Sequence, residues 1–209
     1  MLRHNSLTGG AFYFKRNFEL LIFGTYGFWL PNDPRGSWSD FVGAWELFRY
    51  GGATRTTETR SLAYRQHDRE RRLATKAALK YPPVKFTGLQ ARAVARGFAS
   101  YFQRMGLAVW ACAILPDHVH LVTGKPGMKV EQLVIQLKGD ATQELEREEI
   151  HPFGSYKAKA GRVPKCWARG EWKVFLDAED VVRAIRYVEA NPLKEGKKKQ
   201  DWSFVKAYE

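Results

Sequence analysis

The sequence predicts an α+β fold, a ferredoxin-like sandwich in which helices cover one face of an antiparallel sheet. Three observations carry this expectation. With residues 37–86 set aside as an insertion after the first strand, the chain reads strand, helix, strand, strand, helix, strand, helix. Its 209 residues are 44% hydrophobic and 14% aromatic, enough for one domain, 1–209, with a core of its own. No internal repeat or low-complexity segment points to a second unit.

Residues 19–30 (ELLIFGTYGFWL) are aliphatic, aromatic and glycine-punctuated, and read as the first strand. Pro31-Asn32-Asp33-Pro34-Arg35-Gly36 ends it in turn chemistry. Inside the insertion, Gly51-Gly52 is a break and residues 61–80 look helical, with QHDRERR at 66–72 as a solvated face. Thr87 is a plausible N-cap for a helix over 89–105, where Leu89, Ala93, Phe98 and Phe102 recur near helical spacing. Residues 107–115 (LAVWACAIL) read as a buried strand, Pro116-Asp117 as a turn, and 118–123 as the second arm of a hairpin. Residues 130–145 are amphipathic, and 151–173 read as a basic loop across the surface. A short strand over 172–176 leads to Asp177, the expected N-cap of a helix over 178–190, which Asn191-Pro192 ends. Residues 192–209 form a basic C-terminal tail.

Lys and Arg number 34 against 22 acids, a net charge of +12 with a pI near 9.8. Such an excess attracts polyanions, most simply nucleic acid. Cys112 and Cys166 belong to no C-x-x-C and offer neither a disulfide framework nor zinc-finger spacing. The N-terminal segment is polar and lacks a signal-peptide core, and no apolar run reaches membrane-spanning length. A cytoplasmic protein without a membrane partner is expected.

His118-Val119-His120 is the most informative stretch. Residues two apart on a strand share a face, so both imidazoles can converge on one metal ion while Val119 and Leu121 pack on the other side. Tyr187 and Asn191, four apart on the last helix, also share a face, with Arg183 a turn earlier. Taken singly, each motif has a structural reading as well. The histidines can be packed residues, Tyr187 a packing residue with a wet hydroxyl, and Asn191 a helix stop.

Together these residues resemble a known family. His118-Val119-His120 matches the His-hydrophobic-His motif of HUH endonucleases. The run from Ile185 to Gly196 (IRYVEANPLKEG) looks like the catalytic helix of single-tyrosine transposases, closest to those associated with repetitive extragenic palindromes. Leu115-Pro116-Asp117 and the strand at Trp172 fit the same branch, and the resemblance spans residues 19–204 apart from the insertion. It implies a single HUH transposase domain with Tyr187 as nucleophile on a C-terminal tyrosine-bearing helix. It implies that His118, His120 and Asn191 hold a divalent metal, Mg2+ or Mn2+, as cofactor. The implied reaction cleaves and rejoins single-stranded DNA beside a hairpin through a 5′-phosphotyrosine intermediate. No phosphate-binding loop is present, as suits a transesterification that needs no nucleotide.

DNA contacts are expected from Arg92, Arg96 and Arg104, from Lys157, Lys159, Arg162, Lys165 and Arg169 in the basic loop, and from Arg183, Lys194, Lys197, Lys198 and Lys199. A monomer with its tyrosine in cis and a homodimer with it in trans both fit the sequence. So does the alternative of a non-catalytic protein that binds DNA or RNA hairpins. A small-substrate metal hydrolase fits less well, because neither motif adds a third histidine or a carboxylate to the pair.

Overall fold

Four strands build one antiparallel sheet in the order β2-β3-β1-β4: β1 is Phe18–Gly24, β2 Val109–Ile114, β3 His118–Gly124 and β4 Trp172–Leu176. This is the ferredoxin-like order that the alternation of elements predicts. The computed structural model describes residues 18–57, 62–156 and 162–208. The expectation for the N-terminal segment and the roles expected of Lys157 and Lys159 fall outside them.

Alternation along the strands sorts side chains onto two faces. Leu21 and Phe23 of β1, Cys112 and Ile114 of β2, and Val119 and Leu121 of β3 face α3 (Gly88–Met105) and α4 (Val130–Arg147). These two helices pack against each other, and a Cβ at Gly97 would lie 2.6 Å from the Ala141 Cα, so a hydrogen is all that fits there. Thr87 caps α3 through a capping box with Gln90, and Gly106 closes it in the left-handed region.

The opposite face is covered by α5 (Ala178–Lys194). Its Val181, Ala184 and Val188 bury against Leu20, Ala111, Ala113, Val122 and Leu176. Burying each of the larger aliphatic side chains contributes about 1.5–3 kcal/mol, and this is what seats α5. His118 and His120 point to this second face, in step with Val122. Both cysteines are free and buried, and burial pushes the Cys166 thiol up to about 12. Among the described residues no helix is long and apolar enough to cross a membrane.

Several boundaries differ from the sequence reading. β1 ends at Gly24 rather than near residue 30, because Thr25 turns its hydroxyl onto the carbonyls of Val84 and Asp117 and Gly27 has a φ of 80°. In the insertion, helix α2 covers only Arg69–Ala77, started by Asp68, whose carboxylate accepts from the Arg71 amide. A one-turn helix α1, Trp45–Phe48, lies before it. The segment over 151–173 is not a wholly surface loop, since Phe153, Cys166 and Trp167 are buried in the core against α3, α4 and the sheet. Pro192 does not end α5, which runs on to Lys194 before Gly196 takes a φ of 67°. The missing proline N–H leaves only the Val188 carbonyl without its helical donor, and this near the helix end costs little.

The tail after α5 then crosses the open edge of β2. The Gln200 side chain both accepts from the Ile114 amide and donates to the Ile114 carbonyl, each at 2.8 Å. Further along, the Lys206 amide donates to the Val109 carbonyl, while Trp202, Phe204 and Val205 pack on the core. An exposed strand edge is thereby capped.

Candidate active site

His120 sits in the middle of β3, 4% exposed, between Ala113 of β2 and Ile22 of β1. Burial first, then the charges of His118 and Lys194, push its imidazole down to about 3, so the ring is neutral. Its Nδ1 is buried without a hydrogen-bond partner among the described residues. The His118 ring lies 4.8 Å away, nearly edge-on at 68°.

His118 is fixed from two sides. Its Nδ1 lies 2.8 Å from the Asp117 carboxylate, so Nε2 is the nitrogen through which the ring could meet a ligand. Phe28 stacks on the ring at 4.6 Å and 17°. Phe28 can lie there because residue 24, opposite His118 on β1, is glycine; a Cβ would meet the Phe28 ring at 2.6 Å. Burial pushes the Asp117 carboxyl up, but the hydrogen bond and charge of His118, with Lys76 and Lys85, outweigh it and hold it below the usual range. Lys76, from α2, donates to the Phe28 carbonyl at 2.9 Å. The insertion therefore reaches the site through the loop that carries Phe28.

From the other side α5 brings Tyr187. Its ring is 5.5 Å from that of His120, at 72°, and the side chain is 43% exposed, so it meets both the buried imidazole and solvent. Lys194 places its ammonium 4.9 Å from the Tyr187 ring centre. Asn191, one turn beyond Tyr187, is 7% exposed, and its Nδ2 is buried without a hydrogen-bond partner among the described residues.

His118 and His120, ring to ring, carry imidazole nitrogens of the kind that could hold a divalent cation, and Asn191, one turn from Tyr187 on α5, carries an amide oxygen of the kind that could join them. No group of three His, Cys, Asp or Glu side chains able to hold a metal is found among the described residues.

The expected DNA-contacting residues are spread over the molecule. Lys194 lies at the site, and Arg183 on α5 is ion-paired with Asp180. Arg169 is exposed next to Ala168, whose amide donates to the Gly24 carbonyl, the residue opposite His118. Arg162 and Lys165 are exposed in the same segment, and Lys197, Lys198 and Lys199 are exposed on the tail. Arg92, Arg96 and Arg104 are on α3, across the sheet from the histidines; Arg96 pairs with Glu148, and Arg104 with Asp140 at 2.8 Å. Sequence reasoning gave Asp117 no direction and did not single out Phe28. The available signal for Asp117 was a carboxylate immediately before the first histidine, at a hairpin turn.

No family model matches the chain, and no curated protein matches it. Solved structures similar to it include the following two. One is a REP-associated tyrosine transposase bound to a REP hairpin, with 13% identity and a TM-score of 0.46 over 98% of this chain and 81% of that one. The other is a protein of Deinococcus radiodurans R1 described as a candidate transposase, with 13% identity and a TM-score of 0.38 over 82% of this chain and 88% of that one.

Proposed function

We propose that this chain cleaves and rejoins single-stranded DNA as a transposase, with Tyr187 as the attacking group. The observation that carries this reading is the Tyr187 ring set 5.5 Å from a buried, neutral His120 whose Nδ1 has no hydrogen-bond partner among the described residues. A packed core histidine normally finds a partner for its buried polar atoms. One left open beside a solvent-reaching phenol suits a ligand that arrives with the substrate.

In the reaction the Tyr187 hydroxyl oxygen attacks a backbone phosphorus. A bond forms from that oxygen to phosphorus, the bond from phosphorus to the 3′ oxygen breaks, and the phenolic proton is balanced by protonation of the departing 3′-hydroxyl. The DNA 5′ end stays joined to Tyr187, and attack by a 3′-hydroxyl reverses the step. Lys194, over the phenol ring, opposes the negative charge that develops there and on the phosphate. Asp117 is a positioning residue that holds the His118 ring. A divalent ion, Mg2+ or Mn2+, held by His118, His120 and Asn191 would supply Lewis acidity at the scissile phosphate. Tyr187 and His120 meet within one chain, which supports a tyrosine acting in cis.

The test is incubation with labelled single-stranded DNA that flanks hairpins, with and without Mg2+ or Mn2+. Wild type is expected to form a denaturation-resistant protein–DNA adduct only with metal. Tyr187→Phe should form none, and His120→Ala should bind DNA while forming at least about 100-fold less adduct. Adduct formation by Tyr187→Phe at the wild-type rate would refute the assignment.

A further inference from the structure

Antiparallel pairing sets Ala113, His120, Ile22 and Trp172 in one row across the four strands, all on the α5 face of the sheet. Trp172 is thus two strand spacings from His120, about 10 Å between backbones. On it lies Trp38, the first tryptophan of the insertion, with ring centres 6.5 Å apart and planes within 18°. Trp38 is 47% exposed, and Trp172 is partly exposed.

The placement of Trp38 is built rather than incidental. Ser37, just before it, is buried; its amide donates to the Thr54 carbonyl, its carbonyl accepts from the Thr56 amide, and its hydroxyl donates to the Pro31 carbonyl. Two residues earlier, Arg35 makes a two-pronged ion pair with Asp33, both contacts 2.8 Å, and its guanidinium lies 3.7 Å from the Trp29 ring centre. Both members of that pair are buried, so the loop from β1 is held rigidly. The same loop that lays Phe28 on His118 therefore lays Trp38 on Trp172.

A near-parallel, partly exposed indole pair on the same sheet face as the proposed phosphate site, on a chain of net charge +12, has the properties of a base-stacking platform. We infer that Trp38, backed by Trp172, stacks an unpaired nucleobase of the single strand on one side of the scissile phosphate. This rests on the proposed reaction at Tyr187 only for the identity of the neighbouring site. Stacking is indifferent to base sequence, so the platform would fix the register of the strand rather than read it.

The probe is an oligothymidylate of about 16 nucleotides, compared with the same backbone made wholly abasic. Binding is followed by fluorescence anisotropy, with quenching of intrinsic tryptophan emission as a second readout. Wild type should prefer the base-bearing strand by roughly 5- to 100-fold. Trp38→Ala should lose most of that preference while binding the abasic strand as wild type does, and Trp38→Phe should retain it. A wild type without preference, or a preference unchanged in Trp38→Ala, would overturn the inference. Equal losses on both strands in Trp38→Ala would overturn it too, pointing to a packing role or to a protein segment as the occupant. Adduct formation through Tyr187 is scored separately and does not depend on these outcomes. If it fails while the base preference holds, the reaction is wrong and the platform stands; in the reverse case only the platform falls.

Discussion

In the proposed site, Asp117 separates orientation of the His118 ring from metal ligation itself. Asp117→Asn keeps the shape and one acceptor oxygen but removes the charge that holds His118 Nδ1 at 2.8 Å. Such a change around a ligating histidine costs about 10- to 100-fold in metal affinity or activity. Adduct yield titrated against Mn2+ should shift to higher metal concentration, with DNA affinity unchanged; an unmoved titration would show that Asp117 positions nothing. His120 makes a prediction about stability. Its folded imidazole is pushed from 6.5 down to about 3. Between those values an unfolded chain takes up a proton that the folded chain refuses, so stability falls as pH falls through this window. His120→Gln should flatten the dependence by up to about 1.4 kcal/mol per pH unit, read by urea unfolding at several pH values. Unchanged slopes would mean that His120 takes up its proton as readily in the folded chain as in the unfolded one. At this scale the sequence was legible where spacing alone decides geometry: His118 with His120 on a strand, Tyr187 with Asn191 on a helix. It was not legible for Phe28 or Trp38, whose partners lie about 90 and 130 residues away and are chosen by how the loop after β1 folds back.

Among elements, the C-terminal tail differs most from its sequence reading. A run of lysines suggested a solvated, DNA-facing tail, and Lys197–Lys199 are exposed. Yet Gln200, directly after them, completes both hydrogen bonds of Ile114 on the outer edge of the sheet. Gln200→Ala leaves that amide and carbonyl unpaired and should cost about 1–3 kcal/mol of unfolding free energy, measured by denaturant titration. A change within about 0.5 kcal/mol would show that water replaces the glutamine without loss. Helix α5 shows why such boundaries resist sequence reading. A proline one residue after Asn191 marks a stop by local rules, but in the final turn its missing donor deprives a single carbonyl. Burial of Val181, Ala184 and Val188 on the sheet outweighs that loss and carries the helix on to Lys194. The long amphipathic helices α3 and α4 were read nearly to their ends, because eighteen residues of periodic burial leave little room for error.

For the molecule as a whole, the sheet divides two tasks. One face, with α3 and α4, is the main core; the other carries the histidines, Tyr187 and the row that ends at Trp172. Positive charge is not confined to the second face, since Arg92, Arg96 and Arg104 lie across the sheet from the site. Single-stranded DNA binding should weaken with salt by about 0.7 in the log–log slope for each phosphate contacted. Replacing Lys197, Lys198 and Lys199 by Gln should lower the slope by up to about 2, whereas the same change at the three α3 arginines should leave it nearly unaltered. The reverse pattern would place the DNA on the other layer. The proposed reaction stands or falls with the bond to Tyr187. Tryptic digestion of the adduct, followed by nuclease trimming and mass spectrometry, reads it directly. Cleavage after Arg186 and Lys194 releases YVEANPLK, residues 187–194, with one tyrosine. The nucleotide mass should be found on that tyrosine; a nucleotide on any other peptide, or metal-dependent cleavage with no adduct at all, would contradict the account.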